Sequence, residues 1–232
     1  MTHSIANTPN MDPHGGHQLG DDDVAYHAKA KFWDKLARKY AARPVGDLKA
    51  YEYTLERTKT YLKPDDHMLE IGCGTGTTSL LLSGDVKHIT AQDVSSSMLD
   101  IAMEKQIEQG ITNVSFQQCS VEDLPHHNTY DIVFASSLLH LIDDLDDGLE
   151  RIHASVEPGG LFISKTVCLK GQGWYFAPLL AIMPFVGYAP YVNMISGDEL
   201  SARIRGAGFE IIENEDHNRK PSCHFIVAQR PS

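Results

Sequence analysis

The chain has 232 residues, enough for one substantial α/β domain and too few for two ordinary ones. A formal net charge of -11 and an isoelectric point near 5.5 argue against nucleic acid or an anionic membrane as partner, because phosphate recognition normally needs a basic face. The four cysteines (Cys73, Cys119, Cys168 and Cys223) stand far apart with no C-x-x-C pair, which reads as reduced thiols in a cytoplasmic protein and not as a disulfide framework or zinc site.

Residues 1–23 are polar and lack the apolar core of a secretory signal, so they are expected to form a disordered tail. His3, His14 and His17 admit a metal-binding reading of that tail, but no metal site is expected. No stretch of about 18 uninterrupted apolar residues occurs, so no membrane span is predicted.

Order is expected from residue 24. Val24, Phe32, Leu36 and Tyr40 recur at helical spacing over 24–42, and Pro44 ends that helix. A second helix fits 48–62 and stops before Pro64. Residues 67–71 (HMLEI) form a short apolar run that meets the cluster GCGTG and then TTSLLLS, a strand, tight loop and helix. Strands follow at 86–92, 114–118, 130–135 and 161–166, with helices at 96–106 and 145–156; Pro158-Gly159-Gly160 marks a turn before the fifth strand. Strands alternating with helices predict a parallel sheet with right-handed crossovers. The end differs: Ser196-Gly197-Asp198-Glu199 is a capping-box pattern opening a helix to about residue 205. Strands at 209–213 and 224–229 then follow with no helix between them, so the pair should be antiparallel. Residues 168–195, rich in aromatics and broken by Pro178, Pro184 and Pro190, fall above the carboxyl ends of the strands, where open α/β sheets bind ligands.

The chemistry concentrates in Glu70-Ile71-Gly72-Cys73-Gly74-Thr75-Gly76. The spacing is G-x-G-x-G, and Thr77 stands where a dinucleotide fingerprint needs a third glycine. Glu70 before the loop disfavours a diphosphate and suits a ligand bearing an ammonium group. Asp93, seventeen residues beyond Gly76, is placed at the end of strand two to accept both hydroxyls of a ribose.

Taken in order, MLEIGCGTG, ITAQDVSSSML, SFQQCSVEDLP, YDIVFASSLLHLI and EPGGLFISKT resemble the motifs of the class I S-adenosylmethionine (SAM)-dependent methyltransferases. The resemblance is to the type 11 and type 25 group, which includes ubiquinone and small-molecule methylases, and spans about 61–166 plus the final strand pair. It implies an α/β, Rossmann-like, seven-stranded and mostly parallel sheet with the last strand antiparallel and helices on both faces. A single domain over 24–232 would carry a helical lid (24–62) and an apolar cap (168–195) above the acceptor site.

The resemblance also implies roles for single residues. Glu70, Gly72, Cys73, Gly74, Thr75 and Gly76 form the loop along the methionine part of SAM, with Cys73 packing. Asp93 takes the ribose, Val94 and Met98 flank adenine, and Ser120 and Val121 stand where the family reads the adenine edge. Ser120 departs from the usual Asp and lacks the carboxylate that would accept the exocyclic amine, whereas the Val121 N–H can still donate to the adenine edge. Ser136 meets the amino-acid part, and His140 lies near the active-site rim, as a general base or a packed helix residue. Tyr40 resembles the family's lid tyrosine; with Tyr26 and Trp33 it either covers the ligand or packs in the core. Trp33, Trp174, Tyr175, Phe176, Met183, Tyr188 and Tyr191 are candidates for the acceptor pocket, and the aromatics after 168 also suit a dimer interface or a membrane surface.

The expected activity is methyl transfer from SAM by direct in-line displacement to a small, rather apolar acceptor, with S-adenosylhomocysteine (SAH) as product and a monomer or homodimer as the working form. A nicotinamide oxidoreductase is disfavoured by Thr77, and a protein or RNA methyltransferase by the acidic balance and by Ser136-Ser137-Leu138-Leu139 where an Asn-Pro-Pro-Tyr-like motif would stand. A SAM-binding sensor or scaffold without transferase activity is the remaining alternative.

Overall fold

The computed structural model describes residues 21–44, 46–124, 130–170, 192–217 and 222–232. In chain order these form α1 (Asp21–Ala41), α2 (Leu48–Lys59), β1 (His67–Ile71), α3 (Thr77–Leu82), β2 (His88–Asp93), α4 (Ser96–Gln109) and β3 (Val114–Gln118). They continue with β4 (Tyr130–Ser136), α5 (Leu145–Ser155), β5 (Val156–Cys168), α6 (Gly197–Gly206), β6 (Glu210–Asp216) and β7 (Ser222–Gln229). Short 3-10 turns occupy Ser83–Asp85, Val121–Asp123 and Leu139–Leu141.

The strands form one seven-stranded sheet in the order β3-β2-β1-β4-β5-β7-β6. β1 to β5 are parallel, and β7 lies antiparallel to both β5 and β6. The chain winds one way from β1 to β3 and the other way from β4 to β5. The switch point is therefore the crevice between β1 and β4, with Asp93 and Ser136 at the ends of the two strands that flank β1.

Each face of the sheet is apolar, as expected of strands covered on both sides. One layer joins Leu69, Val133 and Phe162 to Leu149 and Ile152 of α5 and Leu200 and Ile204 of α6. The other joins Met68, Ile89, Phe134 and Phe225 to Leu55 of α2, Leu80 of α3 and Leu99 of α4. Burying one such side chain contributes roughly 1.5–3 kcal/mol, against about 0–1 kcal/mol for an exposed ion pair, so these layers and not the surface charges hold the fold.

Several boundaries differ from the sequence expectations for physical reasons. α1 begins at Asp21, inside the stretch expected to be tail. α2 ends at Lys59, because Thr60 caps it through N–H bonds to the Arg57 and Thr58 carbonyls. β2 starts at His88 because 83–85 turn as a 3-10 helix, whose Ser83 carbonyl accepts the Asn113 side-chain amide at 2.7 Å. Pro158-Gly159-Gly160 is an irregularity within β5 and not a turn before it: the register passes from Tyr130↔Val156 to Ile132↔Leu161. A Cβ on Gly160 would lie 2.7 Å from the Asp131 carbonyl oxygen, so the bulge needs glycine there. Residues 1–20 of the expected tail (1–23) and 171–191 of the expected cap (168–195) lie outside the described residues.

The N-terminal helices are fastened over the strand ends by polar contacts. Asp34 of α1 accepts the Ser95 hydroxyl at 2.6 Å and the Ser97 N–H at 3.1 Å, while Ser95 caps α4 through the Met98 N–H. Lys29 pairs with Glu122 at 3.1 Å and with Asp143 at 2.8 Å. α2 is held to the sheet edge, where Arg57 and Tyr61 converge on Glu213 of β6 and Tyr53 donates to Glu215 at 2.9 Å. Replacing Asp34 by Ala removes a side-chain cap shared between two helices and is expected to cost about 0.5–2 kcal/mol. Urea denaturation checks this, and an unchanged midpoint would mean that apolar contacts alone hold α1.

Candidate functional site

The loop after β1 is built from glycines in conformations closed to other residues: φ is +67 at Gly72, +54 at Gly74 and +69 at Gly76. The three differ in what surrounds them. A Cβ on Gly76 would lie 2.6 Å from the Ala102 Cβ and 2.9 Å from the Phe116 ring, so Gly76 lets α3 pack closely against α4 and β3. A Cβ on Gly74 would meet only Tyr40, at 4.0 Å, so this glycine faces open space. Gly76 lines neither cleft described below.

Asp93 ties the loop to the neighbouring strand. Its two carboxylate oxygens accept separate backbone donors, the Gly74 N–H at 2.8 Å and the Ser95 N–H at 2.9 Å, and the Cys73 N–H reaches the Gln92 carbonyl at 2.9 Å. Burial raises the Asp93 carboxyl pKa and the negative charge of Asp34 adds to the rise, while the backbone donors oppose it. Glu70 is buried beneath the loop and accepts the Ser79 hydroxyl. Burial, reinforced by the charge on Asp93, pushes its carboxyl to about 7 despite the Ser79 bond. Burial also drives the Cys73 thiol well above its ordinary pKa, leaving it a protonated packing group.

Two adjoining chambers lie over this loop. The first, a cleft of about 670 Å³ open to solvent, is floored by Gly72, Gly74 and Asp93 and walled by Val94, Met98, Val121 and Leu138. Trp33 and Tyr40 of α1 cover it, their rings edge to face with centroids 6.5 Å apart. Ser120 lines it as well, but its hydroxyl is engaged with the Glu122 N–H and carboxylate, capping the 121–123 turn. The second chamber, about 1250 Å³ and also open to solvent, shares Tyr40, Gly72, Gly74 and Ser136 with the first and adds Glu70, Cys73 and Thr75.

The structure thus gathers Tyr40, Glu70, Gly72, Cys73, Gly74, Thr75, Asp93, Val94, Met98, Ser120, Val121, Ser136 and Trp33 around one double cleft. His140 lines neither chamber. Burial lowers its pKa to about 4, so the ring is neutral near pH 7, and its buried Nδ1 has no hydrogen-bond partner among the described residues. Its carbonyl accepts the Asn193 N–H at 2.7 Å. Trp174, Tyr175, Phe176, Met183, Tyr188 and Tyr191 lie outside the described residues.

Sequence reasoning missed Ser137, Leu138, Arg43, Tyr51, Lys105 and Lys165, all of which line the double cleft. For Lys165 a signal was available: it stands in register with Ser136 at the carboxyl end of β5, the end of a parallel strand that carries ligand contacts. Ser137 and Leu138 carried none, because their placement depends on how the chain leaves β4.

A doubly wound sheet with a glycine loop and an acid at the next strand end defines a protein that binds a nucleoside cofactor at its switch point. Comparison with known proteins names the kind. Residues 68–160 match the family model described as methyltransferase domain. The chain is 30% identical over 194 residues to the demethylmenaquinone methyltransferase of Leptospira interrogans, covering 72% of this chain and 76% of that protein. With the demethylmenaquinone methyltransferase of Alkalihalophilus pseudofirmus it shares 27% over 198 residues, covering 75% and 81%. Among solved structures, that of the geranyl diphosphate C-methyltransferase of Streptomyces coelicolor A3(2) superposes with a TM-score of 0.71 at 13% identity, covering 89% of this chain and 98% of that one. The chain belongs to the class I SAM-dependent methyltransferases. It is an enzyme that uses SAM and releases SAH.

The raised Glu70 pKa has a consequence for stability. Protonated Glu70 contributes stability that is fully present below its unfolded value near 4.5 and is lost as pH rises through about 7. Glu70→Gln is therefore expected to leave the free protein nearly unchanged at pH 5 and to stabilise it by about 1–3 kcal/mol at pH 8. Thermal unfolding of both proteins at the two pH values checks the sign.

Proposed function

We propose that the first chamber seats the nucleoside of SAM, that its methionine part runs along the loop into the second, and that the acceptor is a small, rather apolar molecule. The observation that carries this reading is the Asp93–Gly74 bond beside a chamber with largely apolar walls. Each Asp93 oxygen keeps a lone pair beyond its backbone bond, which suits the two hydroxyls of a ribose. Val94, Met98 and Leu141 offer apolar surface for a flat base, and Glu70 an acid for an ammonium group. The bare face of Gly74 is the cradle that a backbone-hugging ligand requires, so the residues present fit SAM.

SAM supplies a methyl group already activated on a sulfonium, for in-line transfer to the acceptor nucleophile. The protein's own part is to bind and orient. Trp33 and Tyr40 cover one side of the chamber, and alignment of the reacting atoms supplies most of the acceleration. The acids on the chamber floor and at the loop have assigned tasks: Asp93 holds the loop, and Glu70 meets the ammonium. His140, held neutral, has the protonation state of a base, but it takes no step here because it lines neither chamber. Relatives named for methylation of demethylmenaquinone support a small-molecule acceptor.

Calorimetric titration with SAH tests the site. Asp93→Ala removes two charge-assisted hydrogen bonds to the ligand and loosens Gly74, so affinity should fall by about a hundredfold or more, at roughly 1.5–3 kcal/mol per bond. Retention of wild-type affinity by the variant would refute the placement of the nucleoside. A screen of small apolar acceptors with labelled SAM then addresses the acceptor class.

A further inference from the structure

The second chamber is cationic in a protein of formal net charge -11. Arg43, Lys105 and Lys165 all line it. Two acids also line it and, when ionised, offset two of the three positive charges: Asp47, which accepts the Ala50 N–H at the start of α2, and Glu70, beneath the loop. The three cations are placed for different tasks. Lys105 donates to the Thr75 carbonyl at 3.0 Å and to the Thr75 and Thr77 hydroxyls at 2.9 Å each, so it braces the glycine loop. Arg43 is exposed just beyond the end of α1. Lys165 stands at the carboxyl end of β5, level with Ser136, its ammonium 6.0 Å from the centre of the Tyr51 ring.

The backbone at Lys165 is tied to the turn that follows β4. Its carbonyl accepts the Ser137 N–H at 2.7 Å, and Ser137 is the one non-glycine residue with positive φ among those described, at +57. Such a conformation costs of order 1–3 kcal/mol and persists only where its surroundings fix it. The pairing of β5 with β4 sets Lys165 level with Ser136, which lines both chambers, while Lys165 itself lines the second.

Loading the cofactor sharpens the imbalance. In the reading above the ammonium of SAM pairs with Glu70 and its carboxylate offsets the sulfonium, so the three cations lining the chamber are opposed there by Asp47. Resting on the reading above, we propose that the methyl acceptor joins an apolar body to an ionised oxygen, which Lys165 receives with Arg43 at the rim. A charge-assisted bond of this kind is roughly twice as strong as a neutral one and orients the acceptor as well as holding it. The methionyl carboxylate of the cofactor offers the same chemistry, and the test separates the two sources.

The probes are benzoate and its neutral isostere benzamide, titrated into protein saturated with SAH. Benzoate should bind at least tenfold more tightly than benzamide. Lys165→Met should remove that preference, Lys165→Arg should restore most of it, and SAH affinity should stay near wild type in both. Selective loss of SAH affinity in Lys165→Met, with binding of 5′-methylthioadenosine (which lacks the amino-acid part) unchanged, would assign Lys165 to the cofactor and overturn the proposal. Equal binding of benzoate and benzamide would overturn it while leaving the small apolar acceptor in place; binding of neither would overturn both.

Discussion

The carboxylate of Asp93 joins two pieces of backbone that the sheet alone would leave independent. One oxygen holds the Gly74 N–H and the other holds the Ser95 N–H, so the loop after β1 and the turn after β2 share a single anchor. The start of α4, the position of α1 through Asp34, and the floor of the first chamber all follow from that anchor. Its location is dictated by topology: the switch point lies between β1 and β4, and Asp93 ends the strand beside β1. A carboxylate this enclosed is costly to desolvate, and two backbone donors offset much of that cost.

Charge is distributed against the overall balance of the chain. Of the acids closest to the loop, Glu70 is buried and Asp93 half-buried, and both are pulled toward their neutral forms, whereas three cations line the adjoining chamber. In the free protein, Glu70 is a group whose ionisation the fold resists. A bound ammonium would reverse that penalty, so the cleft holds a local instability that its ligand relieves. Fold stability and ligand affinity therefore oppose one another at this residue, as is common where a site is prepared for a charge that it does not itself contain.

Much of this architecture was legible because the relevant signals are local. The apolar run 67–71, the glycine cluster and the acid at 93 lie within thirty residues and fix the strand, loop and neighbouring strand end by spacing alone. The antiparallel close was legible from the missing crossover helix between β6 and β7. What escaped was set by tertiary contact. Pro158-Gly159-Gly160 has the composition of a turn, yet the packing of β5 on β4 draws it into the strand as a bulge. Lys165 and Lys105 look like ordinary surface lysines in sequence and acquire meaning from the chamber they face. At Gly76, in the same loop motif, a Cβ would meet atoms of α4 and β3, a packing demand that local spacing does not reveal.

The position of β7 bears on how the sheet is completed during synthesis. β6 precedes β7 in the chain, yet β7 lies between β5 and β6. Until β7 has left the ribosome, β5 presents an unpaired edge over residues 161–168 and β6 has no partner in the sheet. The five parallel strands can associate earlier, but the nascent domain then carries an open, sticky margin of the kind that recruits other chains. The last pairing is a strand insertion between two waiting elements, so the slow and aggregation-sensitive stage of folding is expected there, far along the chain from the glycine loop.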